Sequence, residues 1–269
     1  MIIDFHTHVF PEKIVDKTLE TLTSQGNVKA FSRPSVNGLL LEMESAGIDV
    51  SVSLPVVTNP AQFDSINRFA KEINDRFESA ERKIISFGGI HPDCDDIAGK
   101  MRYIRNLGLL GVKIHPDYQD CFISDERYVK IIECAKENDL IVLTHTGYDF
   151  LYSDRPMRCP PELILELVHR IPYDKLVLAH LGANCMVEKA CDMLAGEDVY
   201  LDTGFVITDV KEALFKKLVS KHGEDKILFA TDSPWADTSE CVNALKSFNL
   251  SGEVEEKILW KNAKKLLGI

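Results

Sequence analysis

The sequence predicts an α/β protein, a single distorted (β/α)8 TIM barrel spanning residues 1–269. Three observations lead there. Eight short apolar runs alternate with amphipathic stretches, the pattern of parallel βαβ units. The 269 residues match the roughly 250 of a typical barrel. Histidines also collect at the ends of the apolar runs, where a barrel places its chemistry.

The runs are β-branched and nearly continuous, as strands buried on both faces should be. They are 2–5, 50–54, 84–89, 110–114, 141–144, 176–179, 199–202 and 227–230. Between them, helical periodicity predicts helices over 62–80, 126–138, 161–170 and 210–222, the third opening at the Pro160-Pro161 pair because the first helical turn tolerates proline. Length alone also suits two smaller domains, but no linker rich in Pro, Gly or Ser divides the chain. An open doubly wound sheet would carry a Gly-rich turn after its first strand. Here the first strand runs into His-Thr-His. Two insertions interrupt the pattern, 25–38 and 147–160. The second follows a strand, so it belongs to the active face of a barrel.

Composition is ordinary for a globular protein, with 45% hydrophobic and 27% charged residues. A net charge of −11 disfavours nucleic acid and anionic membrane as partners and leaves a small-molecule substrate. The N-terminus has neither the basic nor the long apolar region of a signal peptide. No apolar run reaches 18 residues, and the expected compartment is the cytoplasm. The seven cysteines, Cys94, Cys121, Cys134, Cys159, Cys185, Cys191 and Cys241, form no C-x-x-C pair and read as reduced thiols. Cys185 and Cys191 fall on one expected helix at a spacing poor for sharing a metal. A homodimer is the default for a soluble oligomer.

Of eight histidines, His6, His8, His91, His115, His145 and His180 sit at or just past predicted strand ends; chance would put about one there. His169 and His222 fall on helices and read as surface residues. His6-Thr7-His8 is the sharpest signal, since alternate strand residues share a face and two imidazoles then point at one divalent cation. Asp232, ending the apolar LFATDSPW, is costly to bury unpaired. It reads as a ligand that also accepts a proton from bound water, against a helix cap as the plainer reading. In the same set His145 reads as a ligand and His180 as an acid/base or ligand. Lys113 and His115 share one parity in GVKIHPDY, so an inward Lys113 needs a partner or a shifted pKa. His91 and His115 each precede proline and serve equally as rim residues that shape turns.

These pieces, DFHTHVFP, GVKIHP, LTHTG, LAHLG, LFATDSPW and the terminal ILWKNAKKLLGI, together resemble the amidohydrolase superfamily. Within it they resemble the amidohydrolase-related group that includes aminocarboxymuconate-semialdehyde decarboxylase. The resemblance spans the chain in the family's order. It implies a divalent metal, zinc by preference, held by His6, His8, His145 and Asp232. It makes His180 the acid/base or a ligand to a second ion, with Lys113, His180 and His115 available to a second metal or to substrate. In two-metal members a carboxylated lysine bridges the ions from the position Lys113 occupies; one-metal decarboxylases of the group need none.

The implied chemistry is hydrolysis of a small amide, ester or lactone carrying a carboxylate, with Asp232 taking the proton of metal-bound water. The alternative is decarboxylation of an unsaturated or aromatic carboxylic acid. The chain reads as shorter than such decarboxylases, which favours hydrolysis. A non-catalytic ligand-binding barrel is a third reading, opposed by a complete set of ligands that includes a carboxylate base. For the substrate, Arg33, Arg155 and Arg158 in the insertions are candidate anion contacts. Phe10, Tyr148, Phe150, Tyr152 and Trp235 are candidate walls of a partly apolar pocket.

Overall fold

The computed structural model describes residues 1–26 and 28–269; Asn27, inside the first expected insertion, lies outside the described residues. The strands run β1 Ile3–Thr7, β2 Val50–Ser53, β3 Lys83–Ser86, β4 Gly88–Gly89, β5 Gly111–Ile114, β6 Ile141–Thr144, β7 Leu176–Leu178, β8 Tyr200–Asp202 and β9 Ile227–Leu228. All pairings are parallel, in the order β1-β2-β3 and β4-β5-β6-β7-β8-β9. Segments β3 and β4 are the halves of the third predicted run, broken at Phe87, whose amide still donates to the Ser53 carbonyl at 2.9 Å. The circle closes through backbone bonds between β1 and the chain after β9. Phe5 N–H donates to Phe229 O at 2.9 Å, Asp232 N–H to His6 O at 2.8 Å and His8 N–H to Ser233 O at 2.7 Å. The eight predicted strands are therefore the eight staves of a barrel, most of them shorter by a residue or two.

Strand alternation sorts the residues into layers. Inside the barrel Ile3, Phe5, Val50, Leu143, Val177 and Leu228 pack together, and the C-terminal helix Asn262–Leu267 closes the floor with Ala263, Leu266 and Leu267. The opposite parity, including Val112, Ile114, Val142, Leu178 and Leu201, packs outward against the helices. Two residues above the inner apolar layer, the same parity carries Lys113, His145, Asp202 and Asp232. A period of two thus stacks a polar layer on an apolar one.

On β1 the alternation slips. Asp4 pairs with Ser51 but Thr7 with Ser53, so β1 spends one extra residue, the signature of a bulge. The bulge lets Phe5 face the deep apolar layer while His6 and His8 still reach the cavity. Asp4 pins it from outside the barrel. Its Oδ1 accepts His6 N–H at 3.2 Å and Thr231 N–H at 2.9 Å, and its Oδ2 accepts the Thr231 hydroxyl at 2.6 Å.

The helices Phe63–Phe77, Glu126–Glu137, Pro161–Arg170 and Glu212–His222 stand where periodicity predicts them. Three readings are corrected. The end of the insertion 25–38 opens a helix, Val36–Ala46, capped by Ser35, whose hydroxyl accepts Gly38 N–H. His222 is buried rather than superficial, with its Nε2 3.0 Å from the Val199 carbonyl and its Nδ1 accepting Gly196 N–H. Cys185 lies in an exposed turn before the helix Val187–Met193, not on it. All seven cysteines are free thiols. No helix among the described residues is long and apolar enough to cross a membrane.

Backbone packing inside the barrel is close at Gly111, where a Cβ would fall 2.6 Å from the Ile141 carbonyl oxygen and 2.7 Å from the Phe87 ring. Gly111→Ala is expected to destabilise the protein by about 1–3 kcal/mol through overpacking, read as a Tm several degrees lower by calorimetry. An unchanged Tm would show that the interior is looser than this packing implies.

Candidate metal centre

At the open end of the barrel, His6 and His8 come from the end of β1 and Asp232 from the turn after β9. The Asp232 Oδ1 is 3.2 Å from His6 Nε2 and 3.0 Å from His8 Nε2. Asp232 has φ +66°, a left-handed conformation that aspartate tolerates better than most residues, and strain of this kind is typical of functional positions. It is what turns the carboxylate across the barrel seam toward the two rings.

Hydrogen bonding fixes the tautomers. Lys113 Nζ, 3.2 Å from His6 Nε2, can only donate. His6 Nε2 is therefore a lone pair, and Nδ1–H donates to Asp202 Oδ2 at 2.9 Å. His8 Nδ1–H donates to the Leu54 carbonyl at 2.9 Å, so in the neutral ring its Nε2 is also a lone pair, and in the protonated ring Nε2–H donates to Asp232 Oδ1 at 3.0 Å. With both rings neutral, two lone pairs and a carboxylate oxygen converge within 4.8 Å of one another, an arrangement that is repulsive unless a proton or a cation lies between them. The donor set fits a divalent metal, two imidazole nitrogens and one carboxylate oxygen, with the outer nitrogens anchored as in metal sites generally.

The charges agree. Burial, and next the Lys113 ammonium, push His6 well below the ordinary histidine range, which favours the neutral ring. Burial alone would raise Asp232, but the positive charge that His6 and His8 carry when protonated outweighs it and holds the carboxyl at about 2, a role that a bound cation would take over once the rings are neutral. Burial brings Lys113 down to about 8, against the pull of Asp232 and Asp202. Ionised carboxylate and neutral imidazole are the forms a cation binds.

His145 and His180 form the adjoining wall. His180 Nδ1–H donates to the Gly204 carbonyl at 2.9 Å. Its Nε2, 3.0 Å from His145 Nδ1, then accepts from His145, which leaves His145 Nε2 as a lone pair. That atom is buried with no hydrogen-bond partner, the state of a ligand nitrogen, but it does not join the mutually close group of His6, His8 and Asp232. The four-ligand set implied by resemblance therefore appears as a group of three with His145 free beside it. His180 sits at φ +58° and Leu181 at +52°; this turn swings His180 out of its strand parity and into the cavity.

His115 stacks on His145, centroids 4.2 Å apart and rings 10° from parallel. With Asp149 these two make another close group. His115 Nδ1 accepts Tyr118 N–H at 3.4 Å, so Nε2 carries the proton, 3.4 Å from Asp149 Oδ2. The two groups lie within ion-pair distance without a hydrogen bond between them. Burial lifts Asp149 to about 7. Asp149 and Asp202 were not singled out in the sequence. Asp202 ends an apolar strand, as Asp232 does, and that parity was its signal. Asp149 lies in an irregular insertion with no periodicity to mark it.

The cavity above these groups measures about 990 Å³. Its walls include Phe10, Phe69, Tyr118, Tyr148, Phe150 and Trp235. The second insertion contributes the short turn Phe150–Tyr152, and Leu151 packs so closely on the helix Val15–Gly26 that a Cβ on Gly26 would lie 2.4 Å from its Cδ1. The arginines expected to meet an anion do not line this cavity. Arg33 is exposed and paired with Glu12 and Asp16 at 2.7 and 2.8 Å. Arg155 lies over the Tyr152 ring at 5.0 Å. Arg158 is paired with Asp120 and lies 3.9 Å from Asp117. His91 is buried and its Nδ1 accepts Asp93 N–H, shaping the turn.

A family model described as amidohydrolase matches residues 3–269. The chain belongs to the amidohydrolase family. Among solved structures, this amidohydrolase is similar to an uncharacterized TIM-barrel protein from Bordetella bronchiseptica (TM-score 0.74, 18% identity, 99% of this chain and 98% of that one). It is also similar to 2,6-dihydroxybenzoate decarboxylase from Rhizobium (0.72, 14%, 99% and 98%). A third is 5-carboxyvanillate decarboxylase from Novosphingobium aromaticivorans complexed with manganese and 4-hydroxy-3-methoxy-5-nitrobenzoic acid (0.72, 16%, 100% and 96%). These likenesses establish the fold of the amidohydrolase. No match is found among curated proteins.

Asp202→Asn should leave the barrel folded but weaken divalent-metal affinity about 10–100-fold by releasing His6 from its orienting carboxylate, measured by equilibrium dialysis with Mn²⁺ or Zn²⁺. Affinity equal to wild type would remove Asp202 from the account.

Proposed function

We propose that this amidohydrolase is a metal-dependent decarboxylase of a hydroxylated aromatic carboxylic acid. The observation that carries the reading is the conjunction of a group able to hold a cation with a cavity walled by aromatic side chains. The likeness to two aromatic-acid decarboxylases supports it. The preference for hydrolysis rested on chain length, and that ground falls away, because the chain covers 98% of the Rhizobium decarboxylase and 96% of the Novosphingobium one.

The residues that would hold the cation are His6, His8 and Asp232, with the free His145 Nε2 as the further nitrogen. A set of two nitrogens and an oxygen suits manganese as well as zinc, so zinc is no longer the preferred ion. When bound, the cation supplies Lewis acidity, drawing charge from the carboxylate and a neighbouring oxygen of the substrate. The reaction breaks the bond between ring carbon and carboxyl carbon. The electron pair stays on the ring carbon, which takes up one proton, and CO₂ leaves. Phe10, Tyr148 and Trp235 exclude water and hold the ring, while His180, its Nδ1 tied to Gly204, passes the proton at Nε2 once that atom has released the His145 N–H it accepts. Asp232 would help hold the cation beside the scissile carboxylate.

The test is turnover of a panel of hydroxybenzoic acids, esters and lactones by Mn²⁺-loaded protein, following CO₂ release. A hydroxybenzoic acid is expected to yield CO₂ and the decarboxylated phenol, and Asp232→Asn to lower that rate by about 10²–10⁴-fold. Cleavage of an ester or lactone with no CO₂ from any acid would return the protein to the hydrolases.

A further inference from the structure

Lys113 is 1% exposed, faces the cavity from β5, and forms no ion pair within 4.0 Å among the described residues. Its one hydrogen bond goes to His6 Nε2 at 3.2 Å. That nitrogen has a single lone pair, because Nδ1 carries the ring proton toward Asp202. The same lone pair is one of the three that converge on the cation position with His8 and Asp232. One lone pair cannot accept an N–H and bind a metal together, whichever protonation state the amine is in.

We propose that Lys113 competes with the metal for His6, and that the amine displaced by metal becomes the anchor for the substrate carboxylate. The stem of Lys113 is fixed in the barrel wall between Val112 and Ile114, which pack outward, so its amine moves only within the cavity. Buried and cationic, it needs an anionic partner there. Arg33, Arg155 and Arg158 do not line the cavity, and of the cationic side chains that do, Lys13, Arg68 and Lys113, it is Lys113 that contacts the metal group. Metal and carboxylate therefore bind cooperatively. Each favours the state in which Lys113 has left His6, and the coupling is reciprocal by thermodynamic necessity. The second half of this inference rests on the reading that the substrate carries a carboxylate; the first half does not.

The test is calorimetric titration of metal-free protein with Mn²⁺, with and without benzoate as a carboxylate probe. In wild type, benzoate should tighten Mn²⁺ binding by about tenfold, within the usual range of such couplings. Lys113→Met removes the competitor while keeping an unbranched side chain. It should bind Mn²⁺ several-fold more tightly than wild type without benzoate, with the same stoichiometry, and lose the benzoate effect. Lys113→Gln, uncharged and one atom shorter, should behave likewise and serves if the methionine variant does not fold. Weaker Mn²⁺ binding or fewer ions in the variants would make Lys113 a ligand, and so overturn competition. Unchanged affinity would overturn it as well. Benzoate coupling that survives in the variants would overturn the anchoring role. Failure of the decarboxylase reading would leave the benzoate-free comparison intact, so the two failures are distinguishable.

Discussion

The structure depends on one electrostatic constraint, that the lone pairs of His6 and His8 and the carboxylate of Asp232 point at the same small volume. Left to themselves these groups repel. Their outer atoms are held in place regardless, His6 by Asp202 and His8 by the Leu54 carbonyl, so the rings cannot turn away. Three electron-rich atoms held this close call for a proton or a cation between them. Because metal binding is linked to the deprotonated forms of its ligands, the neutral His6 and ionised Asp232 produced by burial and their neighbours belong to the same design.

The barrel seam makes that convergence available. His6 and His8 come from the first strand and Asp232 from the last, more than two hundred residues later. They meet because the backbone bonds from Phe5, His8 and Asp232 close the circle there. Asp4 ties the bulged strand to Thr231, next to Asp232 in sequence, with two hydrogen bonds and accepts a third from His6 N–H. The bulge itself reconciles two demands on one short strand, apolar Ile3 and Phe5 for the floor and polar His6 and His8 for the mouth. Regular alternation would have put one pair or the other on the wrong face.

Much of this was legible in the sequence. The apolar runs located every stave, since burial on both faces demands continuous hydrophobicity. The H-x-H spacing and the aspartate after the last run named the three residues that meet. Lys113 was readable from parity, because Val112 and Ile114 left it on the opposite face. Local pattern does not carry the rest. The bulge depends on the register against β2, which no single strand reveals. His222 looked superficial because its helix is amphipathic, but its partners, Val199 and Gly196, come from another segment. Arg155 and Arg158 looked free only because Tyr152 and Asp120, their partners in the fold, are not recognisable as partners in the chain. Asp149 gains its role from the path of an irregular loop.

The central claim is that a single divalent cation seats among His6, His8 and Asp232. The most direct test is a crystal of the protein grown with Mn²⁺, with anomalous differences measured at the manganese absorption edge. The account predicts one strong peak about 2.0–2.3 Å from His6 Nε2, His8 Nε2 and an Asp232 oxygen, with the Lys113 amine withdrawn from His6. A peak elsewhere, or none with the Lys113–His6 contact intact in manganese-saturated crystals, would contradict it.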